Sequence, residues 1–344
     1  MTAYGTNEIN IAMMPFVGDN DWNFAFQTAL VRSMETALLT PAIFQDMAAA
    51  ADLNAAVEIL GGSEYAMAQG KVTISEVEKM LAEKRQQLLH FYADLLSSSP
   101  VSALGAVSID MSNLRLALRR FLSEKPIGTD YAQGGSQPEA MFETIFEQND
   151  YSFLPLYMQK AIEQGILAYY GEKDVRAIDY AVDQAQFDAV LELGREADCS
   201  YLQGLIRVWA DLTNIKTVMR KKIRETDSLD GFIAGGFLDA DKLKAALHQP
   251  HDQFSSICFA TPYASLIDAG IDYLTKNNSF LRFEALCDRY MDGCYDLANQ
   301  ITAGIQPAIA YFYRKSDQIR KIRMVLTAKS NLLDKQLILD RLGV

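Results

Sequence analysis

Three short stretches decide the fold: DMSNLR at residues 110–115, DLTNIK at residues 211–216 and KSDQIR at residues 315–320. Each stretch has a polar residue, two spacers, an amide side chain, a branched aliphatic residue and a cation. The amides lie 101 residues (214 − 113) and then 104 residues (318 − 214) apart. A repeat of about one hundred residues is far longer than a solenoid repeat, so the spacing predicts duplicated domains rather than a stacked superhelix.

Two glycine-containing stretches separate the three copies. SEKPIGTDYAQGGSQP at residues 123–138 and TDSLDGFIAGGFL at residues 226–238 carry three glycines each and interrupt the helical pattern. Glycine and proline clusters of this kind mark loops and module boundaries. We therefore predict three similar helical modules, over residues 1–128 with an N-terminal leader, 129–232 and 233–344.

Hydrophobic periodicity between these stretches is helical. Pro41 suits the first turn of a helix, where its missing N–H costs no hydrogen bond. Ser75 and Glu78 have the spacing of a capping box. Alternating apolar residues occur only in residues 1–17. The sequence predicts an all-α protein.

Composition excludes several classes of function. Of the 344 residues, 49% are hydrophobic, which is enough for large buried cores and argues against disorder. Acidic residues outnumber basic ones 44 to 32, and a net charge of −12 argues against a nucleic-acid partner. No apolar run reaches the ~18 residues of a membrane-spanning helix, so we expect no direct membrane insertion. Four scattered cysteines and no recognisable signal peptide predict buried, reduced thiols and a cytoplasmic location.

Two motifs resemble catalytic or metal sites only in part. Gly70-Lys71-Val72 resembles the end of a phosphate loop, but residue 65 is tyrosine where glycine is required, and Val72 replaces the magnesium-binding hydroxyl. His248 and His251 could hold zinc only with distant carboxylates or a cysteine, so a solvated loop is the favoured interpretation. We predict no catalytic residue, no cofactor and no metal.

An acidic stripe on one predicted helix gives an alternative. Glu284, Asp288 and Asp292 recur every four residues and therefore lie on one helical face. Carboxylates can bind metals inside helix bundles, but the Glu-x-x-His pairs of di-iron proteins are missing. An exposed acidic face or docking face is the favoured interpretation.

Several segments resemble the C (d) family of V/A-type rotary ATPase subunits. FAFQTALVRSMETALLT at residues 24–40 is similar to the opening of that family, WADLTNIK at residues 209–216 to its central helix, and residues 307–331 to its closing signature. Thr28 and Leu30 depart from the family pattern, which often has asparagine and arginine there. The resemblance covers about residues 24–342.

The resemblance implies a fold and a role. It implies a funnel of three helical modules around a pseudo-threefold axis, with no active site. The wide end would receive rotor shaft subunits of the D/F type, and the base would lie on the membrane proteolipid ring, so the chain would be peripheral at the inner face of the membrane. The repeated cations are then candidates for the lining of the shaft socket, at Arg115, Lys216 and Arg320.

Two other functions stay open at this point. One is an unrelated helical adaptor that binds other proteins through tandem modules. The other is an all-α metal-dependent enzyme that uses the acidic stripe. Neither the transported ion, proton or sodium, nor the direction of ATP chemistry follows from the sequence.

Overall fold

The computed structural model describes residues 15–68, 70–128, 130–138, 140–226, 228–250, 253–277 and 279–343. These residues form α-helices and short 3-10 turns, and no β-strand occurs among them, which confirms the all-α prediction. The apolar alternation within residues 1–14 lies outside the described residues. The helices, in chain order, are α1 Ala25–Glu35, α2 Pro41–Ala49, α3 Leu53–Glu58, α4 Ile74–Leu95, α5 Leu104–Leu122, α6 Met141–Gln148, α7 Leu156–Glu172, α8 Val175–Glu196, α9 Ser200–Ile223, α10 Ala240–Ala245, α11 Phe254–Ile257, α12 Ala264–Asn277, α13 Leu281–Asp296, α14 Gln306–Ser330 and α15 Lys335–Leu342.

The chain divides into two compact units. The first contains residues 1–16 and 93–257, and the second contains residues 17–92 and 258–344. The predicted division into three modules stays a prediction, because compactness does not test whether segments are copies of one another.

Helices α7 and α8 form the hairpin of the first unit. Lys173, in the left-handed conformation with φ 54°, ends α7, and α8 begins two residues later with Asp174 as its N-cap. Helix α5 packs against both of these helices, and α9 packs along α8. The buried residues of α9 are mainly apolar, and they include Leu202, Leu205, Val208, Leu212, Ile215 and Val218, with Asp211 and Asn214 among them.

Helix α14 is the centre of the second unit. Helices α1, α2 and α3 from the N-terminal half of the chain and α13 from the C-terminal half all pack against it. Because it is surrounded, α14 buries polar residues as well as apolar ones, and each buried polar group needs a partner. Those partners organise the site described below.

The helix starts follow the predictions in part. Pro41 is the first residue of α2, as predicted. The capping box before α4 is formed by Thr73 and Glu76, whose side chain accepts the Thr73 backbone N–H at 2.8 Å, and not by Ser75 and Glu78. The prediction was wrong by two residues because both pairs have the same spacing, and only the true helix start distinguishes them.

Candidate interaction site on the repeated helices

The repeated amides bind the backbone of the loop that follows their own helix. Asn113 on α5 donates to the carbonyl of Ala132 and accepts its N–H, both at 2.8 Å. Asn214 on α9 makes the same pair of 2.8 Å bonds with Ile233. In both copies the partner lies 19 residues after the amide. A carboxamide matches a backbone peptide because each offers one donor and one acceptor side by side.

The aspartates that open the first two copies hold the same loops a few residues further on. Asp110 accepts the N–H of Ser136 at 2.8 Å, and Asp211 accepts the N–H of Leu238 at 2.9 Å. Both aspartates are fully buried. The two stretches that interrupt the helical pattern are therefore held by hydrogen bonds against the middle of α5 and of α9.

Two glycines make this docking possible. A Cβ atom on Gly135 would overlap the carboxylate of Asp110, and one on Gly236 would overlap that of Asp211. Only glycine lets the loop approach so closely. We did not predict these residues as functional, although the Gly-Gly pairs at 134–135 and 235–236 repeat at the same spacing of 101 residues (236 − 135) as the amides.

The third copy uses the same helix position to bind a segment from the start of the chain. Gln318 on α14 accepts the N–H of Leu39 at 2.8 Å and donates to the hydroxyl of Tyr65 at 2.9 Å. Lys315, which replaces the aspartate of the other copies, forms a salt bridge with Glu64. Burial raises the pKa of Tyr65, with Glu64 adding to the effect.

The three repeated helices also end in the same way. Glu124, Glu225 and Leu332 each adopt the left-handed conformation, with φ 54°, 51° and 56°, directly after their helices. In each case the following N–H returns to a carbonyl in the last turn: Lys125 to Arg120, Thr226 to Lys221 and Leu333 to Ala328. The amide precedes this residue by 11, 11 and 14 positions (124 − 113, 225 − 214, 332 − 318), so the third helix continues nearly one turn further beyond its amide.

The three predicted socket cations have different surroundings. Arg115 forms an ion pair with Asp183, and Arg320 pairs with both Asp317 and Asp288. Lys216 is half-buried, and no described residue forms an ion pair with it. Burial would lower the pKa of Arg320, but Asp317 and Asp288 outweigh burial and raise it.

The acidic stripe on α13 is paired with cations rather than exposed. Glu284 and Asp288 both meet Arg341 of α15, and Asp292 lies 3.5 Å from Lys321 of α14. Burial raises the pKa of Asp288, but Arg320 and Arg341 outweigh burial and hold it below its ordinary value. Of the two interpretations, the exposed acidic face was wrong, whereas the stripe does serve as a docking face for α15 of the same chain. Periodicity shows which residues share a face but not what packs on it.

A cleft of about 480 Å³ lies beside this stripe in the second unit. Its lining combines acidic and basic side chains with apolar ones, including Leu38, Phe44, Asp292, Arg314 and Lys321. Among the described residues, no group of three or more histidine, cysteine or acidic side chains is arranged to hold a metal ion. Carboxylates that are already neutralised by arginine and lysine are poor metal ligands, which disfavours the metal-enzyme alternative.

The remaining candidate motifs have structural roles. Lys71 is exposed, and the N–H of Val72 donates to Asn54 at 2.8 Å instead of facing a phosphate. His248 ends a short 3-10 turn, whereas His251 lies outside the described residues. All four cysteines are buried and outside disulfides, as predicted, and burial raises the pKa of the Cys199 thiol to about 11. No described helix has both the length and the apolar run needed to cross a bilayer.

The described residues thus form long helices with a repeated anchor, and most of the charges near these anchors are paired within the chain. Comparison with known proteins gives the class of protein: the family model of the ATP synthase (C/AC39) subunit matches residues 27–341. The chain therefore belongs to the C/AC39 family of V/A-type ATPase subunits. It is 20% identical to the C-type subunit of the V-type sodium ATPase of Enterococcus hirae over 320 residues, covering 91% of this chain and 96% of that protein. It is 23% identical to the C-type subunit of the A-type ATP synthase of a Desulfurococcus species over 338 residues, covering 93% and 90% respectively.

Proposed function

We propose that this chain is a non-catalytic central-stalk subunit that couples a rotor shaft of D/F-type subunits to a membrane proteolipid ring, for proton or sodium transport. The observation that carries the proposal is family membership over residues 27–341, nearly the whole chain. The names of the two relatives describe a sodium ATPase and an ATP synthase, so they leave both the ion and the direction open.

The internal anchors support a mechanical role. Asn113 and Asn214 hold the loop after their own helix, and Gln318 holds the segment near Leu39. The last of the three helices thus binds a segment near the start of the chain. Polar groups that are buried and satisfied fix one arrangement of the backbone, and close-packed interiors transmit strain.

The three repeated cations are proposed as part of the shaft socket. Their surroundings predict how much each one contributes to shaft binding, because a charge that is already paired within the chain is less available to a partner. Lys216 has no ion pair with a described residue, so its charge is available to a carboxylate of a partner. Arg320 is neutralised twice within its own unit, and Arg115 once. Truncating one member of a desolvated interfacial pair costs ~2–5 kcal/mol, whereas a rim pair is worth only ~0–1 kcal/mol.

The test is shaft binding by single and triple alanine variants, measured by calorimetry with purified shaft subunits. We expect Lys216→Ala to weaken binding most and Arg320→Ala least, with circular dichroism confirming that each variant is folded. Arg195, which pairs only with Glu192 on an exposed face, provides a matched control as Arg195→Ala. Unchanged affinity of the triple variant for the shaft at low salt would refute a role of these residues in the socket and leave them only a structural role within the chain.

The proposed role includes no ATP chemistry by this chain itself, and this part of the proposal is tested separately. The pure chain should neither hydrolyse ATP nor retain a stoichiometric metal. Turnover that disappears on replacing Lys71 or Asp288 would refute the proposal. The adaptor alternative would be favoured if affinity capture from native membranes recovered neither shaft nor ring subunits.

A further inference from the structure

One face of the α1 region exposes large aromatic side chains. Trp22, in the 3-10 turn that precedes α1, is 69% exposed, and Phe26 one turn later is 73% exposed. Ala29 and Ser33 continue the same exposed face along the helix. The stripe carries no charged side chain. The opposite face buries Thr28 and Val31, so Trp22 and Phe26 are the large apolar side chains that this segment leaves on the solvent side.

A dense set of hydrogen bonds holds this segment in place. The hydroxyl of Thr28 donates to the carbonyl of Gly304 at 2.9 Å and accepts its N–H at 3.0 Å. Asn20 accepts the N–H of Thr302 at 2.8 Å, and Arg32 donates to the carbonyl of Ala298 at 2.7 Å. Because α1 is fixed at both ends, Trp22 and Phe26 are presented on a rigid surface. A preorganised aromatic pair loses little conformational entropy on binding.

The charges around the aromatic face indicate what can cover it. Asp19 and Asp21 are exposed at its N-terminal end, whereas the charges at the other end are occupied inside the unit, since Arg32 and Arg314 both contact Glu35. Helices that lie on membranes carry lysine and arginine beside their apolar face, which anionic headgroups attract. This face is acidic at its N-terminal end instead. It is complementary to a protein surface that is apolar at the centre and cationic at one end.

We propose that Trp22 and Phe26 form the hot spot of an interface with the rotor shaft. The apolar face of a shaft helix packs on this stripe, and a lysine or arginine of the shaft lies beside Asp19 and Asp21. This inference rests on the proposed function for the identity of the partner. Aromatic side chains dominate the energetics of protein interfaces, and tryptophan is among the residues most enriched at hot spots.

The chain contains its own reporter for this contact. It has two tryptophans, Trp22 and Trp209, so Trp209→Phe leaves only Trp22 to fluoresce. Titration of this full-length variant with purified shaft subunits of the same complex should shift the emission to shorter wavelength and reduce quenching by acrylamide. If Trp209→Phe does not fold, the difference between wild type and Trp22→Phe gives the same signal.

Affinity measurements complete the test. We expect Trp22→Ser and Phe26→Ser each to weaken shaft binding at least tenfold, and Asp19→Lys to weaken it further with salt-dependent loss of the association rate. Phe259, which is 83% exposed in the same unit, supplies the matched control, and Phe259→Ser should bind as the wild type does.

The possible failures are distinguishable. If the wild-type chain does not bind shaft subunits at all, the proposed function fails. If it binds them while Trp22 fluorescence and the affinities of the two serine variants stay unchanged, the interface lies elsewhere and this inference is wrong. A shift of Trp22 emission with anionic vesicles, in the absence of the shaft, would also overturn it, because the occupant would then be a lipid surface.

Discussion

Replacing Asn214 by alanine tests the anchoring logic of the fold directly. The side chain is fully buried and makes two 2.8 Å hydrogen bonds to Ile233, whose own side chain is 3% exposed. Each bond contributes ~0.5–1.5 kcal/mol net, and each buried backbone group left without a partner costs ~1–3 kcal/mol. Because the variant loses both bonds at once, we expect Asn214→Ala to lower the free energy of unfolding by about 2–4 kcal/mol.

The assay is urea unfolding followed by the fluorescence of Trp209 in a Trp22→Phe background, which reports on α9 itself. Thr217→Ala is the control, because Thr217 on the same helix makes only a local bond to the carbonyl of Thr213 at 2.9 Å. This control should lose less than about 1 kcal/mol. Asn113→Ala should resemble Asn214→Ala but cost somewhat less, since its partner Ala132 is only half-buried. A loss for Asn214→Ala no larger than the control would refute the reasoning and show that water replaces the amide.

Three further predictions concern stability. Gly236→Ala should destabilise the chain by about 1–3 kcal/mol in the same urea assay, because its new Cβ meets the buried Asp211 carboxylate, whereas Gly171→Ala, with open space around it, should not. Leu332→Gly should raise the unfolding free energy by about 0.5–1 kcal/mol, since Leu332 is 86% exposed at φ 56°; a loss instead would show that the leucine makes a stabilising contact. Asp288→Asn should cost about 1–2 kcal/mol at pH 7. The folded state lowers the pKa of Asp288 below 3.8, so the stabilisation by its carboxylate is present above that pH and is lost as the pH falls below it. The difference in unfolding free energy between variant and wild type should therefore shrink in acid. A constant difference from pH 7 to pH 3 would contradict this.

The sequence predicted the fold class because helical periodicity is a local property. The repeated amides were found for the same reason: Asn113 and Asn214 stand in hexapeptides that share the aspartate and the asparagine and differ elsewhere only by similar residues, and their partners lie only 19 residues away. The glycines that complete each anchor, Gly135 and Gly236, repeat at the same spacing and could have been found with it. Their role follows only once the loop is seen to return to the buried aspartate.

The partners of the third copy could not be predicted in this way. Gln318 binds Leu39, which lies 279 residues earlier, and Lys315 pairs with Glu64 at a separation of 251 residues. Nothing in the local pattern encodes such pairs, because they depend on how the helices pack. The same limit explains the error on the acidic stripe, whose cations come from α14 and α15. Helical spacing placed Asp288 correctly on its face and gave no information about Arg341.

In the proposed role, the differences between the three repeated stretches bear on how the chain keeps the shaft from slipping. A socket with three identical faces would bind an asymmetric shaft in three registers of equal free energy, and the shaft could step between them under load. A preference of about 100 to 1 for one register requires about 2.7 kcal/mol. In this chain the third stretch has Lys315 in place of the buried aspartate and Gln318 in place of the asparagine, and its helix continues nearly one turn further beyond the amide. Trp22 and Phe26 lie beside that copy, on a segment held to the loop before α14. In the proposed role, the repeated anchors give the scaffold its rigidity, and this asymmetric aromatic face supplies the free-energy difference that selects one register.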